Sequence, residues 1–239
     1  MGLLEDYFNE KLFVVSGVGT GQGLSTVKLL SAMGAHVIAL SRHGRSVTTY
    51  EDEMRNVDFQ IMDATSEESI ELFAGRLRKE DRIIDGIVNN TGIWEPSEEK
   101  NVSPGKVTEF FKSNTLSQYN VIYHMIPLVR RGGSVVNIGA ARSLFSGNHS
   151  AYTISKFAIE EVTRSFASEY RKHGVRVNAI LPGSISKEDN FSTVFPFNFN
   201  EKGSAMDPLN ISYITAFLLS PMSHAINGQC ISADRGVNI

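Results

Sequence analysis

Short β-branched runs alternate with longer helix-like stretches from one end of the chain to the other, and this rhythm leaves few architectures open. "KLFVVSG", "AHVIALS", "VDFQIMD", "IIDGIVNN", "GSVVNIG", "VRVNAIL" and "QCISAD" read as strands. Their near-continuous apolar character suits strands covered on both faces, as in buried parallel sheets. Helical patterns lie between them at 24–33, 67–79, 107–129, 151–173 and 210–219, and Gly34 and Gly174 are placed to stop two of these helices. No linker, repeat or low-complexity tract divides the series. The expectation is an α/β chain of Rossmann type: a doubly wound, mostly parallel seven-stranded sheet with helices on both faces, one domain over 1–239.

Composition narrows the function classes. The chain has 239 residues, 41% of them hydrophobic, with a formal net charge of -3. That balance gives no basic excess for a nucleic-acid partner. A single cysteine, Cys230, excludes an internal disulfide and a thiol metal site, so a cytoplasmic location is expected. No stretch approaches the roughly 20 apolar residues of a membrane helix, and the acidic start "MGLLEDYFNE" is unlike a signal peptide.

The first chemical signal is "FVVSGVGTGQGLSTVKLL", a strand that enters a helix through a glycine-rich turn. Gly17, Gly21 and Gly23 supply a tight turn, close backbone approach to a pyrophosphate and close helix–strand contact, with free helix N–H groups facing the anion. The second is Tyr152 and Lys156, four apart on a helical pattern. Carbonyl reduction needs an acid for the developing alkoxide, and the reverse reaction needs the same group as a base. Residues four apart share a helix face, so a Lys156 ammonium near the Tyr152 hydroxyl favours the phenolate.

"SGVGTGQG" resembles the T-G-x-x-x-G-x-G turn of the classical short-chain dehydrogenase/reductase family, with Ser16 for Thr and Gln22 for the usual aliphatic residue. "NNTG" at 89–92 resembles its N-N-A-G segment, Asn114 its helix asparagine, Tyr152 and Lys156 its Y-x-x-x-K, "LPGSI" its P-G segment, and "GQCISADRG" its final strand. The matches occur in order along essentially the whole chain. The resemblance implies an NAD(P)-dependent oxidoreductase interconverting a carbonyl and a secondary alcohol. Tyr152 would be the acid/base, Lys156 would also bind the nicotinamide ribose, and Asn114 would hold a relay water. It further implies Asp63 at the adenine edge, Asn90 and Gly92 near the cofactor ribose, contacts from Pro182, Gly183 and Ile185, and a homotetramer built through the two long helices and the last strand.

The end of the second strand, "VIALSRHGR", lacks the acid that would bind the ribose hydroxyls and repel a 2′-phosphate. Ser41 is neutral, and Arg42 with Arg45 offers cationic forks for phosphate, so NADP(H) is expected over NAD(H). Thr20 weighs against this, because many NADP-dependent relatives carry a basic residue there.

The pattern breaks where the family carries a serine that hydrogen-bonds the substrate carbonyl: that position is Ala140. An alanine has no donor to offer, and losing one aimed at an oxyanion costs about 2.7–4 kcal/mol in other enzymes. Ser143 is the nearest substitute, and Ser146 a poorer one. Lys187 stands near a family threonine that contacts the carboxamide, and Arg235 replaces a glycine. These departures keep a second reading open, a dinucleotide-binding protein with weak or no catalysis, serving as a sensor or an assembly subunit. The segment 184–208 falls where the family covers its substrate; Phe191, Phe195, Phe197 and Phe199 lie in it around Pro196, and they line a hydrophobic substrate site or pack against the body. Trp94 either joins that wall or packs.

Overall fold

The computed structural model describes residues 7–43, 54, 56–186 and 205–237. Its centre is one seven-stranded sheet in the order β3-β2-β1-β4-β5-β6-β7. The strands are β1 (Leu12–Ser16), β2 (His36–Ser41), β3 (Val57–Ile61), β4 (Ile84–Asn89), β5 (Val129–Ile138), β6 (Arg176–Pro182) and β7 (Cys230–Ala233). All six pairings are parallel. Each expected strand is present, and the buried runs belong to the interior ones. β1 and β4 are buried throughout, whereas edge strand β3 has only half-buried and exposed positions.

Side chains alternate between the two faces, as strand pleating requires. On β1, Phe13 and Val15 join a cluster with Leu24, Val27 and Leu30 of α1 (Gln22–Ala32) and with Ile211 and Leu218 of α6 (Pro208–Leu219). Leu12 and Val14 point the other way, towards Phe73 and Leu77 of α2 (Glu67–Lys79), Val121 and Ile122 of α4 (Ser117–Met125), and Phe166 of α5 (Ser150–Tyr170). Helix α3 (Pro104–Phe111) precedes α4. Gly34 and Gly174 adopt φ of 85° and 71° where the chain leaves helical segments, a conformation that costs glycine nothing.

One expected helix is broken up. The apolar pattern over 107–129 begins earlier, at Pro104 behind a Ser103 cap whose hydroxyl accepts from Lys106 N at 3.3 Å. It passes through a π-helical turn, Lys112–Leu116, and ends in a short 3-10 turn, Ile126–Leu128, with Val129 already in β5. Pro127 explains the end, since it lacks an N–H to continue the helix. The π turn adds one residue to a helical turn, a departure often found at functional sites.

β1 and β4 adjoin at the sheet centre, where strand order reverses. Open parallel sheets bind ligands at such a switch point, beyond the carboxyl ends of the strands. Ser16 and Asn89 face each other there, with Ser16 Oγ donating to Asn89 Oδ1 at 3.1 Å.

Candidate active site

The glycine turn occupies that switch point. Gly17 has φ 69°, and a Cβ on it would lie 2.6 Å from Thr91 Cα; one on Gly23 would lie 2.7 Å from Gly17 O. These two glycines let the turn pack against the chain leaving β4, where Asn90 Nδ2 donates to Gly17 O at 2.8 Å. Gly19 and Gly21 are different, because a Cβ on either would meet nothing within 4 Å. Gly21 caps α1 and has no side chain to accept from the first N–H groups of that helix. Open space over uncapped helix N–H donors fits a phosphate-bearing ligand. A nicotinamide dinucleotide fits these residues, and the N-terminus of α1 would hold its pyrophosphate.

Two hollows meet beside this turn, at Gly92 and Ile93. The first, about 210 Å³, is lined by Gly17, Gly19, Ser41, Arg42, Thr65 and Gly92, among others. Ser41 Oγ donates to His43 O at 3.1 Å, and Arg42 is exposed beside it. Arg45 lies outside the described residues. Asp63 holds the bend after β3, its Oδ1 accepting from Thr65 N at 2.9 Å and Thr65 Oγ1 at 2.7 Å. Burial raises the Asp63 carboxyl, but the Thr65 hydrogen bonds and the charges of Arg42 and Lys112 outweigh it and leave the pKa below its ordinary value. Ser66 caps α2, accepting from Ser69 N, which leaves Asp63 free of that task.

The second hollow, about 560 Å³, shares Gly92 and Ile93 with the first. It brings Tyr152, Lys156, Ala140, Asn90, Pro182, Gly183 and Ile185 together, although they come from four regions of the chain. Both polar residues of the pair lie on α5, whose first turn is capped by His149, its Nδ1 accepting from Tyr152 N at 3.3 Å. Lys156 Nζ donates to Ile138 O at 3.3 Å. Burial pushes the Tyr152 phenol up to about 12 and the Lys156 ammonium down to about 8. The expected phenolate is therefore not favoured by the chain itself, because burial disfavours the charged form of each group.

Asn114 sits in the π turn and is fully buried. Its Oδ1 accepts from Ile93 N at 2.6 Å, and its Nδ2 donates to Ser155 Oγ at 2.9 Å and to Ile93 O at 3.2 Å. A Cβ on Gly92 would lie 2.9 Å from Asn114 Oδ1 and 3.1 Å from Lys156 Nζ. Gly92 thus keeps clear the point at which the asparagine and the lysine converge.

Ala140 is buried in the chamber wall against Phe110, Ala151 and Tyr152. Ser143 does not line the chamber; its Oγ donates to Asp234 Oδ2 at 2.9 Å. Arg235, which stands where the family has glycine, adopts φ 58° in the same C-terminal turn. Trp94 is half exposed at the chamber rim and donates from Nε1 to Asn148 Oδ1 at 2.7 Å. Lys187, Phe191, Phe195, Pro196, Phe197 and Phe199 lie outside the described residues. The ends of that segment are joined, Ser186 N donating to Met206 O and Met206 N to Ser184 O, each at 2.8 Å. Sequence reasoning did not assign Leu144, Gly147 and Asn148 to the wall, and it noted Gln22 only as a departure from an aliphatic position. The polar residue at that position was the available signal.

Comparison with known proteins agrees with this fold. The family model described as Enoyl-(Acyl carrier protein) reductase matches residues 17–238. The chain is 31% identical to a 2-dehydro-3-deoxy-D-gluconate 5-dehydrogenase of Bacillus subtilis over 99% of this chain and 98% of that protein. It is 25% identical to a gluconate 5-dehydrogenase of Gluconobacter oxydans over 95% and 94%. A short-chain dehydrogenase/reductase structure from Brucella melitensis superposes with a TM-score of 0.83, at 20% identity and 98% coverage of both chains. The chain belongs to the classical short-chain dehydrogenase/reductase family, a family of NAD(P)-dependent oxidoreductases.

Proposed function

We propose that this protein interconverts a carbonyl compound and a secondary alcohol with NADP(H) in preference to NAD(H), using Tyr152, Lys156 and Asn114. The observation that carries this reading is the convergence of Asn114 Oδ1 and Lys156 Nζ over Gly92, in a chamber walled by Tyr152. The dinucleotide, when bound, supplies or takes up the hydride at the carbonyl carbon. Tyr152 gives its phenolic proton to the oxygen as it becomes an alkoxide. A phenol pushed up to about 12 stays protonated at neutral pH, as an acid for reduction must. Lys156, with its ammonium near 8, still carries a proton at neutral pH and can pass it to Tyr152; Asn114 holds the relay water that returns one from solvent. Asn90, Gly92, Pro182, Gly183 and Ile185 hold the cofactor on the chamber side, and Gly17, Gly21, Gly23, Ser41, Arg42 and Asp63 on the adenosine side.

The substrate is a small carbonyl compound with an apolar part, because Ile93, Trp94, Leu144 and Ile185 form much of the wall. The named sugar-acid relatives make polar keto acids the second class to assay. The chain forms a homo-oligomer, a tetramer by family resemblance, through α4, α5 and the last strand. Tyr119, Tyr123, Ile154 and Phe157 expose apolar surface on those helices, which supports that interface. Among the described residues no helix is long and apolar enough to cross a membrane, which is compatible with a cytoplasmic site.

A second reading, a dinucleotide-binding protein without useful catalysis, draws on the Ala140 methyl and on the engagement of Ser143 with Asp234. Calorimetric titration with NADPH and NADH, followed by a carbonyl screen on wild type and Tyr152→Phe, separates the two. Turnover that Tyr152→Phe abolishes supports the enzyme. Binding without turnover supports the second reading, and binding of neither dinucleotide overturns both.

A further inference from the structure

Gln22 opens α1 and also lines the chamber that holds Tyr152 and Lys156. Its Nε2 donates to Thr26 Oγ1 at 3.1 Å and to Ser212 Oγ at 3.2 Å, bridging α1 to α6. Its Oε1 is buried and has no hydrogen-bond partner among the described residues. The surrounding hydroxyls are consistent with this orientation of the amide. Ser212 has one proton, which Pro208 O at 3.1 Å or Ser25 Oγ at 3.0 Å accepts, and Thr26 Oγ1, 3.3 Å from Ser212 Oγ, can give its own proton there. Both oxygens are then left to accept from Gln22 Nε2, and Oε1 is the amide atom left over.

A buried acceptor without a partner is costly, and a ligand donor that reaches it removes that cost. Apart from the nicotinamide ribose hydroxyls, which the family resemblance gives to Lys156, the bound dinucleotide offers few such donors on the chamber side. Its pyrophosphate only accepts and would repel Oε1, whereas the primary amide of its nicotinamide carries two N–H groups. We infer that Gln22 Oε1 accepts a hydrogen bond from the nicotinamide carboxamide, making Gln22 a residue that recognises the reactive end of the cofactor. This inference rests on the dinucleotide reading above and adds a residue to it.

The test measures binding by calorimetry, with NADPH and with its reduced 3-acetylpyridine analogue, in which a methyl group replaces the amide nitrogen. Wild type is expected to prefer NADPH by about tenfold, the scale of one buried hydrogen bond. Gln22→Met, which keeps the bulk and loses the acceptor, is expected to bind both ligands alike. A preference that survives undiminished in a folded Gln22→Met overturns the inference, while NADPH binding itself leaves the dinucleotide reading standing. Equal affinity of wild type for the two ligands overturns it without any variant. Failure of wild type to bind either ligand removes the dinucleotide reading and the inference together.

Discussion

Ser143 Oγ donates to Asp234 Oδ2 at 2.9 Å, joining the loop after β5 to the turn after β7. The same carboxylate accepts from Gly236 N through Oδ1 at 3.2 Å, and a Cβ on Gly183 would lie 2.9 Å from Asp234 Cβ. The bond therefore braces the chamber wall from behind. Ser143→Ala is expected to leave kcat within about threefold and to lower stability by about 1.5–3 kcal/mol, the range of one hydrogen bond to a charged group. Steady-state rates on a carbonyl panel check the first and urea melts the second. A hundredfold fall in kcat would instead place the Ser143 hydroxyl on the reacting oxygen.

Ala140 occupies the chamber wall with a methyl group where a donor would serve the carbonyl. Ala140→Ser is expected to raise kcat by about tenfold or more, with NADPH affinity unchanged. An unchanged rate would mean that another group already supplies the donor.

Lys156 is buried with its ammonium pushed down to about 8. A lysine with a depressed folded pKa holds fewer protons folded than unfolded between that value and about 10.4, so stability rises with pH across that window. Below it both states are charged and the full burial cost is present. Lys156→Met is thus expected to be more stable than wild type at pH 7, by at most about 3 kcal/mol, with the gain shrinking above pH 8. Ile138 O keeps a partner in the variant, since Gln118 Nε2 donates to it at 3.1 Å. Chemical denaturation from pH 6 to 10 reads the difference, and a variant less stable at pH 7 would contradict it.

Asn114 holds the Ile93 backbone by both its N–H and its carbonyl. Asn114→Ala leaves the Ile93 N–H and Ser155 Oγ without these partners and is expected to cost about 2–4 kcal/mol. Because Gly92 and Ile93 border both hollows, NADPH affinity should fall with it. Calorimetry on the folded variant would show this, and wild-type affinity would remove Asn114 from the cofactor side.

Arg42 is the exposed cation lining the hollow beside Ser41. Arg42→Ala should weaken NADPH by about tenfold and leave NADH nearly unchanged, with the effect reduced at high salt. Equal losses for the two cofactors would argue against a 2′-phosphate contact.

Much of this architecture is legible in local sequence. Strand positions such as Val14 and Val15 alternate between the two faces because pleating sends neighbours to opposite sides. Gly17 announces a turn because its left-handed φ and the 2.6 Å approach to Thr91 leave no room for a side chain. The π turn is not legible in the same way. A helical pattern over 107–129 carries no mark of one inserted residue, and the insertion is stabilised by partners elsewhere, Ile93 and Ser155 among them.

The sequence by itself determined the order of strands and helices, the glycine turn at the head of the sheet and the placing of Tyr152 and Lys156 one helical turn apart, because each depends on periodicity or turn chemistry within a few residues. Only the tertiary structure decided that Ser143 turns to Asp234, that Gln22 buries an oxygen with no hydrogen-bond partner among the described residues, and that burial drives Tyr152 up and Lys156 down. Hydrogen-bond partners and desolvation are set by segments far apart in the chain that the fold stacks together, and no local pattern encodes them.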